Sequence, residues 1–372
     1  MILPDLLSEK NEKEEKKTMS KRKKRALAAI AVLAAAGVGV AGIYGATELY
    51  DSFFKRYPLP DYQLTAGEVN YELVKDELPR QEISFYSDGI RLQGYFYASG
   101  SGDRLVVLSH GMHAGADDYL PIVRFFVQNG YHVFAYDDKG TYRSDGDSTV
   151  GMCEGLVDLD HALNFLNTDA RFSGMKLFLV GHSWGGYASA AVLSLHPEVS
   201  ACACLAPFNS GYTLITEKGE QYVGDLSRAG LSEPFLKVYQ RILFKDYVNY
   251  TGVMGINSTD IPVLIAHGKN DMIIGFHHQA IIAHQDEITN PNVQYVITEG
   301  LQGGHDSLWH SAEAVQYQQA LEKQLKQAEK EKDDDLTHEE LAAIYTNVNH
   351  RLYSEINEDL FKKILVMFNS VE

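Results

Sequence analysis

Residues Gly181-His182-Ser183-Trp184-Gly185 stand between the apolar run Leu177-Phe178-Leu179-Val180 and the segment Tyr187-Ala188-Ser189-Ala190-Ala191-Val192-Leu193. The order is a buried strand, a G-x-S-x-G turn and a helix. A serine on such a turn is held in strained backbone geometry that projects its hydroxyl above the sheet. Gly181 and Gly185 are small because strand and helix pass close together there, and a larger side chain would clash. The helix that follows points its N-terminal amides at the serine, where negative charge develops in acyl transfer.

A serine hydroxyl is a poor nucleophile at neutral pH. It needs a base, usually histidine, and the base needs a carboxylate to fix its tautomer. Downstream, the strand Ile261-Pro262-Val263-Leu264-Ile265-Ala266 runs into His267-Gly268-Lys269-Asn270-Asp271, so Asp271 sits just past a strand end. A later strand, Val293-Gln294-Tyr295-Val296-Ile297, precedes the Gly-rich loop Glu299-Gly300-Leu301-Gln302-Gly303-Gly304-His305-Asp306. His305 is the candidate base. Asp306 is its immediate neighbour and faces another way, and Asp260 lies at the opposite end of its strand. Upstream, Leu105-Val106-Val107-Leu108-Ser109 ends in His110-Gly111-Met112. A tetrahedral intermediate needs two amide donors. The N–H of Trp184 and the N–H of Met112 are the candidates. His182 is read as packing beneath the turn, and His110 and His267 as structural.

These motifs, HGM, GHSWG, HGKND and GGHD, resemble the α/β-hydrolase superfamily over residues 80–315. The similarity is to its serine-aminopeptidase-like, monoacylglycerol-lipase-like and Bem46-like branch. The resemblance implies an α/β fold with a mostly parallel central sheet flanked by helices, and Ser183, His305 and Asp271 as a catalytic triad. It also implies a helical cap inserted over the serine, placed here at residues 208–258. Within it, Pro234–Phe244 has helical periodicity and large apolar residues, so Phe235 and Leu236 are expected against the acyl part of a substrate. One element departs from the family. Where relatives carry D-x-R-G-x-G-x-S, this chain reads Asp137-Asp138-Lys139-Gly140-Thr141-Tyr142-Arg143-Ser144, with Lys139 for arginine and Tyr142 for glycine.

The 372 residues are 45% hydrophobic and 22% charged, enough for one large α/β domain with additions and unlike a disordered chain. A net charge of −17 argues against nucleic acid as a partner. Residues 26–47 carry no charge and follow Lys21-Arg22-Lys23-Lys24-Arg25. As a helix they would extend roughly 33 Å, enough for a bilayer core. The basic cluster stays cytoplasmic, so a single-pass signal-anchor would put the rest of the chain outside the cell membrane.

The expected organisation is therefore a basic N-terminus (1–25), a transmembrane helix (26–47), a tether with some local structure (48–80) and a hydrolase domain (81–372). The domain ends in a helical extension (316–372). There Lys323–Asp335 is a solvated face, while Leu360, Phe361, Ile364, Leu365 and Phe368 at helical spacing pack a core. Cys153, Cys202 and Cys204 have no metal spacing and read as small buried apolar residues. His277 and His278 read as adjacent residues on a helix, which cannot chelate one metal together. No cofactor or metal is expected. The implied activity is hydrolysis of a small-molecule ester or lipid-like acyl substrate through an acyl-enzyme. Peptide hydrolysis, acyl transfer and non-catalytic binding are the alternatives.

Overall fold

A computed structural model describes positions 21, 23–25, 28 and 32 and residues 36–48, 50–100, 102–215, 233–332 and 334–371. Eight strands form one sheet: β1 (Arg80–Ser87), β2 (Ile90–Tyr97), β3 (Arg104–Ser109), β4 (His132–Asp137), β5 (Lys176–His182), β6 (Val199–Leu205), β7 (Val263–Gly268) and β8 (Val293–Thr298). Their spatial order is β1-β2-β4-β3-β5-β6-β7-β8. β2 pairs antiparallel with β1 and β4, and every other pairing is parallel. The β1–β2 hairpin closes through Asp88 and Gly89, both at positive φ (46° and 80°), the geometry of a tight two-residue turn.

Parallel strands covered on both faces have no polar side, which is why β3 to β7 read as unbroken apolar runs. Successive side chains alternate between two cores. Leu105, Val107, Phe134, Tyr136, Leu177 and Leu179 face one side, with α2 (Glu154–Thr168) and α3 (Trp184–Ala191). Val106, Leu108, Val133, Ala135, Phe178 and Val180 face the other, with α1 (Leu120–Gln128) and the last helix. Between β6 and β7 lie α4 (Glu233–Phe244) and α5 (Gly252–Asn257). After β8 come α6 (Ala312–Lys332), α7 (His338–Tyr345), α8 (His350–Tyr353) and α9 (Glu358–Asn369). α9 buries Leu360, Phe361, Ile364, Met367 and Phe368, with the Phe368 ring 4.9 Å from Phe178. α6 buries only Ala314, Val315 and Leu321, so its charged second half is a solvated face, as its composition implies. The three cysteines are free and buried, with Cys202 and Cys204 sulfurs 3.4 Å apart on one face of β6.

Among the described residues, no helix is long and apolar enough to cross a membrane. Of the uncharged span, positions 26, 27, 29–31 and 33–35 lie outside the described residues. Residues 36–48 are helical, and Ala46, Tyr50 and Phe54 are buried against Cys153, Val157, Leu236 and Phe244. Gly42 meets α4: a Cβ there would come within 2.5 Å of the Phe235 ring. The stretch read as a tether is packed onto the domain. Arg56 donates to the carbonyls of Tyr142, Ser144 and Gly146. Arg80 pairs with buried Asp117 and lies over the Tyr71 and Tyr95 rings at 3.6 and 3.8 Å. Arg124 of α1 pairs with Glu68 at 2.6 Å. Arginines contributed by the domain and by the segment itself make these contacts, so no local hydropathy pattern in 48–80 announces them.

Candidate active site

The turn after β5 has the geometry expected of it. Ser183 stands at φ 55°, ψ −111°, a conformation that non-glycine residues rarely adopt. A Cβ on Gly181 would lie 2.1 Å from the Gly185 carbonyl oxygen, and one on Gly185 would lie 2.1 Å from that of Ser109. Strand and helix thus cross backbone to backbone. The Gly185 N–H donates to the His110 carbonyl at 3.1 Å, tying the elbow to the end of β3.

Three strand ends deliver three side chains to one point. The Ser183 hydroxyl lies 2.8 Å from His305 Nε2, and His305 Nδ1 lies 2.7 Å from Asp271 Oδ2. The other oxygen of Asp271 accepts the N–H groups of Ile273 and Ile274, each at 2.8 Å. His267 Nε2 is 2.9 Å from the Ile274 carbonyl and 3.3 Å from Asp271 Oδ2. Burial opposes ionisation of Asp271, but hydrogen bonds from His267 and His305 outweigh it. The carboxyl is held well below the usual carboxylate range. Asp271 is therefore a carboxylate, His305 carries its proton on Nδ1, and Nε2 is free to accept the serine proton. Asp306, adjacent to His305, is 68% exposed at its side chain and makes no part of this chain.

The loop after β3 is anchored from both sides. His110 Nδ1–H donates to the Gly111 carbonyl at 2.7 Å, while its Nε2 accepts the Asp138 N–H at 3.0 Å. A trans peptide carries its C=O and N–H on opposite sides. Holding the Gly111 carbonyl toward His110 therefore turns the Met112 N–H the other way. The Gly111 N–H donates to the Tyr119 hydroxyl at 2.9 Å, and that hydroxyl lies 2.8 Å from His182 Nδ1. Trp184 is the first residue of α3, so its N–H has no partner within the helix. Its indole donates to the Met152 carbonyl at 2.7 Å.

Tyr119 carries no local signal in the sequence, since it belongs to none of the four motifs. His182 has more than a packing role. Its Nδ1 accepts from the phenol, which leaves Nε2–H facing the His305 carbonyl at 3.2 Å. Burial pushes its pKa down to about 4 and keeps it neutral. His182, His305 and Asp306 form the one group among the described residues with spacing suited to a metal ion. Both histidines are already committed to the hydrogen bonds above. His277 and His278 lie in a run of turns and not on the expected helix.

A chamber of about 670 Å³ lies over Ser183. Its walls include Thr65, Ala66, Gly67 and Val69, both ends of the loop from Met112 to Tyr119, Trp309 and His310, and Gln318, Tyr353 and Ser354 from the segment after β8. Phe235 and Leu236 are not among them. Leu236 is buried with Tyr50, Phe54 and Phe244, and Phe235 packs against Gly42. The apolar face of α4 is satisfied by the N-terminal helix, a partner that periodicity could not reveal. Residues 216–232 of the expected cap lie outside the described residues. The turn at 137–144 is tight: Gly140 has φ 71°, and a Cβ there would fall 2.2 Å from the Ser148 carbonyl oxygen. Lys139 pairs with buried Glu154. Tyr142, at φ 37°, donates to Asp118 at 2.6 Å, and Asp118 borders the chamber.

The family model described as serine aminopeptidase, S33, matches residues 100–228. The uncharacterized protein YfhR of Escherichia coli O157:H7 is 26% identical over 200 residues, covering 51% of this chain and 62% of that protein. Protein ABHD12B of Homo sapiens is 28% identical over 196 residues, covering 48% and 49%. A non-heme haloperoxidase of Rhodococcus erythropolis is 24% identical over 237 residues, covering 52% and 83%. The chain thus spans less than two thirds of the length of YfhR and of ABHD12B.

Proposed function

We propose, for a chain that belongs to the α/β-hydrolase superfamily, the activity of a serine hydrolase acting on carboxylic esters or lipid-like acyl substrates. The observation that carries this reading is the unbroken chain from Ser183 through His305 to Asp271, with contacts of 2.8 and 2.7 Å. Ser183 attacks the carbonyl carbon while His305 Nε2 takes its proton. The charge on the carbonyl oxygen is met by the N–H groups of Met112 and Trp184. His305 returns the proton to the leaving oxygen, and Asp271 stabilises the imidazolium in between. A water then repeats the sequence on the acyl-enzyme. Apart from the substrate and that water, every group these steps use is a side chain or backbone amide of the protein.

The test is labelling with a fluorophosphonate, which needs an activated serine, followed by turnover of p-nitrophenyl esters of increasing acyl length. Labelling at Ser183, abolished in Ser183→Ala, is the expected result. Failure of the native chain to label and to hydrolyse any ester or amide would favour a binding protein built on this fold.

The proposed location is the cell membrane, by a single N-terminal pass, with residues 48–372 extracytoplasmic. The support is the KRKKR cluster before 22 uncharged residues. Val38, Val40 and Tyr44 are exposed on the described helix, as lipid-facing side chains would be. External protease on intact cells should digest the domain. Recovery of the intact domain in the cytosol would exclude this placement.

A further inference from the structure

A second cavity, of about 680 Å³, adjoins the Ser183 chamber. The two share Ala66, Ile273, His305, Asp306, Gln318 and Tyr353, so they lie side by side, with His305 and Asp306 on the border between them. One wall of the groove is Met272, Ile273 and Leu301, from the loops that carry Asp271 and His305. The other is Val315, Leu321 and Leu325 of α6. Met272 is 89% exposed, Ile273 50% and Leu301 39%. One exposed apolar side chain is ordinary. Three on one groove that reaches a candidate base form an exposed apolar patch, set among the polar Asn270, Asp306, Gln318, Gln319 and Glu322.

The chemistry of the site assigns the groove an occupant, and this step rests on the reading of Ser183 as nucleophile. In acyl transfer the bond from Ser183 Oγ to the carbonyl carbon forms, and the bond from that carbon to the leaving oxygen breaks. The proton passes from Ser183 to His305 Nε2 and on to the leaving oxygen. The oxyanion must face the Met112 and Trp184 N–H groups, and the leaving oxygen must lie within reach of His305. The groove is lined by Gly304, His305 and Ser307, and neither Ser183 nor Met112 borders it. We infer that the groove binds the alcohol half of the ester, and that this half carries an apolar chain. The acyl half then occupies the chamber beside Met112, Val69 and Trp309.

Two ester series separate the halves: acetates of alcohols of increasing chain length, and ethyl esters of acids of increasing chain length. With the full chain, kcat/KM should climb by roughly threefold to fourfold per methylene of the alcohol until the groove is filled. The double variant M272S/L325S should flatten that climb and preserve the dependence on acyl length. Met272 is almost fully exposed, so M272S alone gives a folded protein in which part of the effect is read. Flattening of the acyl series instead, or of neither series, would overturn the assignment. Fluorophosphonate labelling of the same samples tells the two failures apart. Labelled proteins with unaltered series retain the nucleophile and lose the groove, whereas an unlabelled, inactive native chain removes both.

Discussion

The Tyr119 hydroxyl stands 2.8 Å from His182 Nδ1 while it accepts the Gly111 N–H at 2.9 Å. It thereby joins the loop that bears the Met112 N–H to the loop that bears His305, because His182 continues to the His305 carbonyl. Tyr119→Phe leaves a buried N–H and a buried imidazole nitrogen unpaired. The expected loss of stability is about 1–3 kcal/mol. Turnover should fall by roughly 10- to 100-fold with KM little changed, less than the removal of an oxyanion donor outright. Wild-type kcat in a variant of lowered melting temperature would show that the phenol supports the fold alone.

Triad members act as a unit, so Ser183→Ala and His305→Ala should each lower kcat by roughly 10⁴- to 10⁶-fold. Asp271→Asn should cost about 10⁴-fold, since an amide in that position favours the wrong tautomer of His305. Steady-state kinetics on one ester, with circular dichroism to confirm folding, checks all three. Near-normal turnover in Ser183→Ala would refute the mechanism.

Gly185→Ala drives a methyl into the Ser109 carbonyl, which β3 cannot withdraw. A loss of about 3 kcal/mol or more is expected, seen as a drop in melting temperature of roughly 6–12 °C. An unshifted transition would mean that β3 and the elbow move apart at no cost.

His310, on the chamber wall, is buried, and that burial pushes its pKa from 6.5 down to about 4. Between these values the unfolded chain binds a proton that the folded one refuses. This residue's contribution is complete above pH 6.5 and is lost as pH falls toward 4. A replacement that cannot titrate, His310→Gln, should therefore flatten the decline of stability over that window by up to roughly 3 kcal/mol relative to wild type. Denaturant titrations at pH 7, 5.5 and 4 measure the difference. Parallel curves would place His310 in contact with water.

Deleting residues 1–35 should keep a folded domain. Deleting 1–54 also removes Ala46, Tyr50 and Phe54 from their cluster with Cys153, Leu236 and Phe244. The shorter chain should unfold at clearly lower temperature or fail to accumulate, because three buried apolar side chains are lost together. Equal stability of the two would show that this contact adds nothing to the domain.

Local geometry made the elbow and its partners readable from residues alone. Strand Leu177–Val180 followed by GHSWG admits few backbones, because Gly181 and Gly185 must let two main chains touch. Asp271 and His305 each follow an apolar strand by a few residues, and parallel strands bring their C-terminal ends to one edge of the sheet. That rule of topology places them beside Ser183 without any knowledge of side-chain packing. The walls of the chamber obey no such rule. Phe235 and Leu236 lie on an amphipathic helix, and amphipathicity states that a face is buried without naming its partner. The partner is the N-terminal helix, and the space over Ser183 is closed by Thr65, Ala66, Gly67 and Val69 and by Gln318, Tyr353 and Ser354. These come from segments more than 100 residues away on either side of Ser183. Only the packing of the whole chain brings them there, and so the sequence by itself determined which side chains meet at Ser183, while the tertiary structure decided what surrounds them.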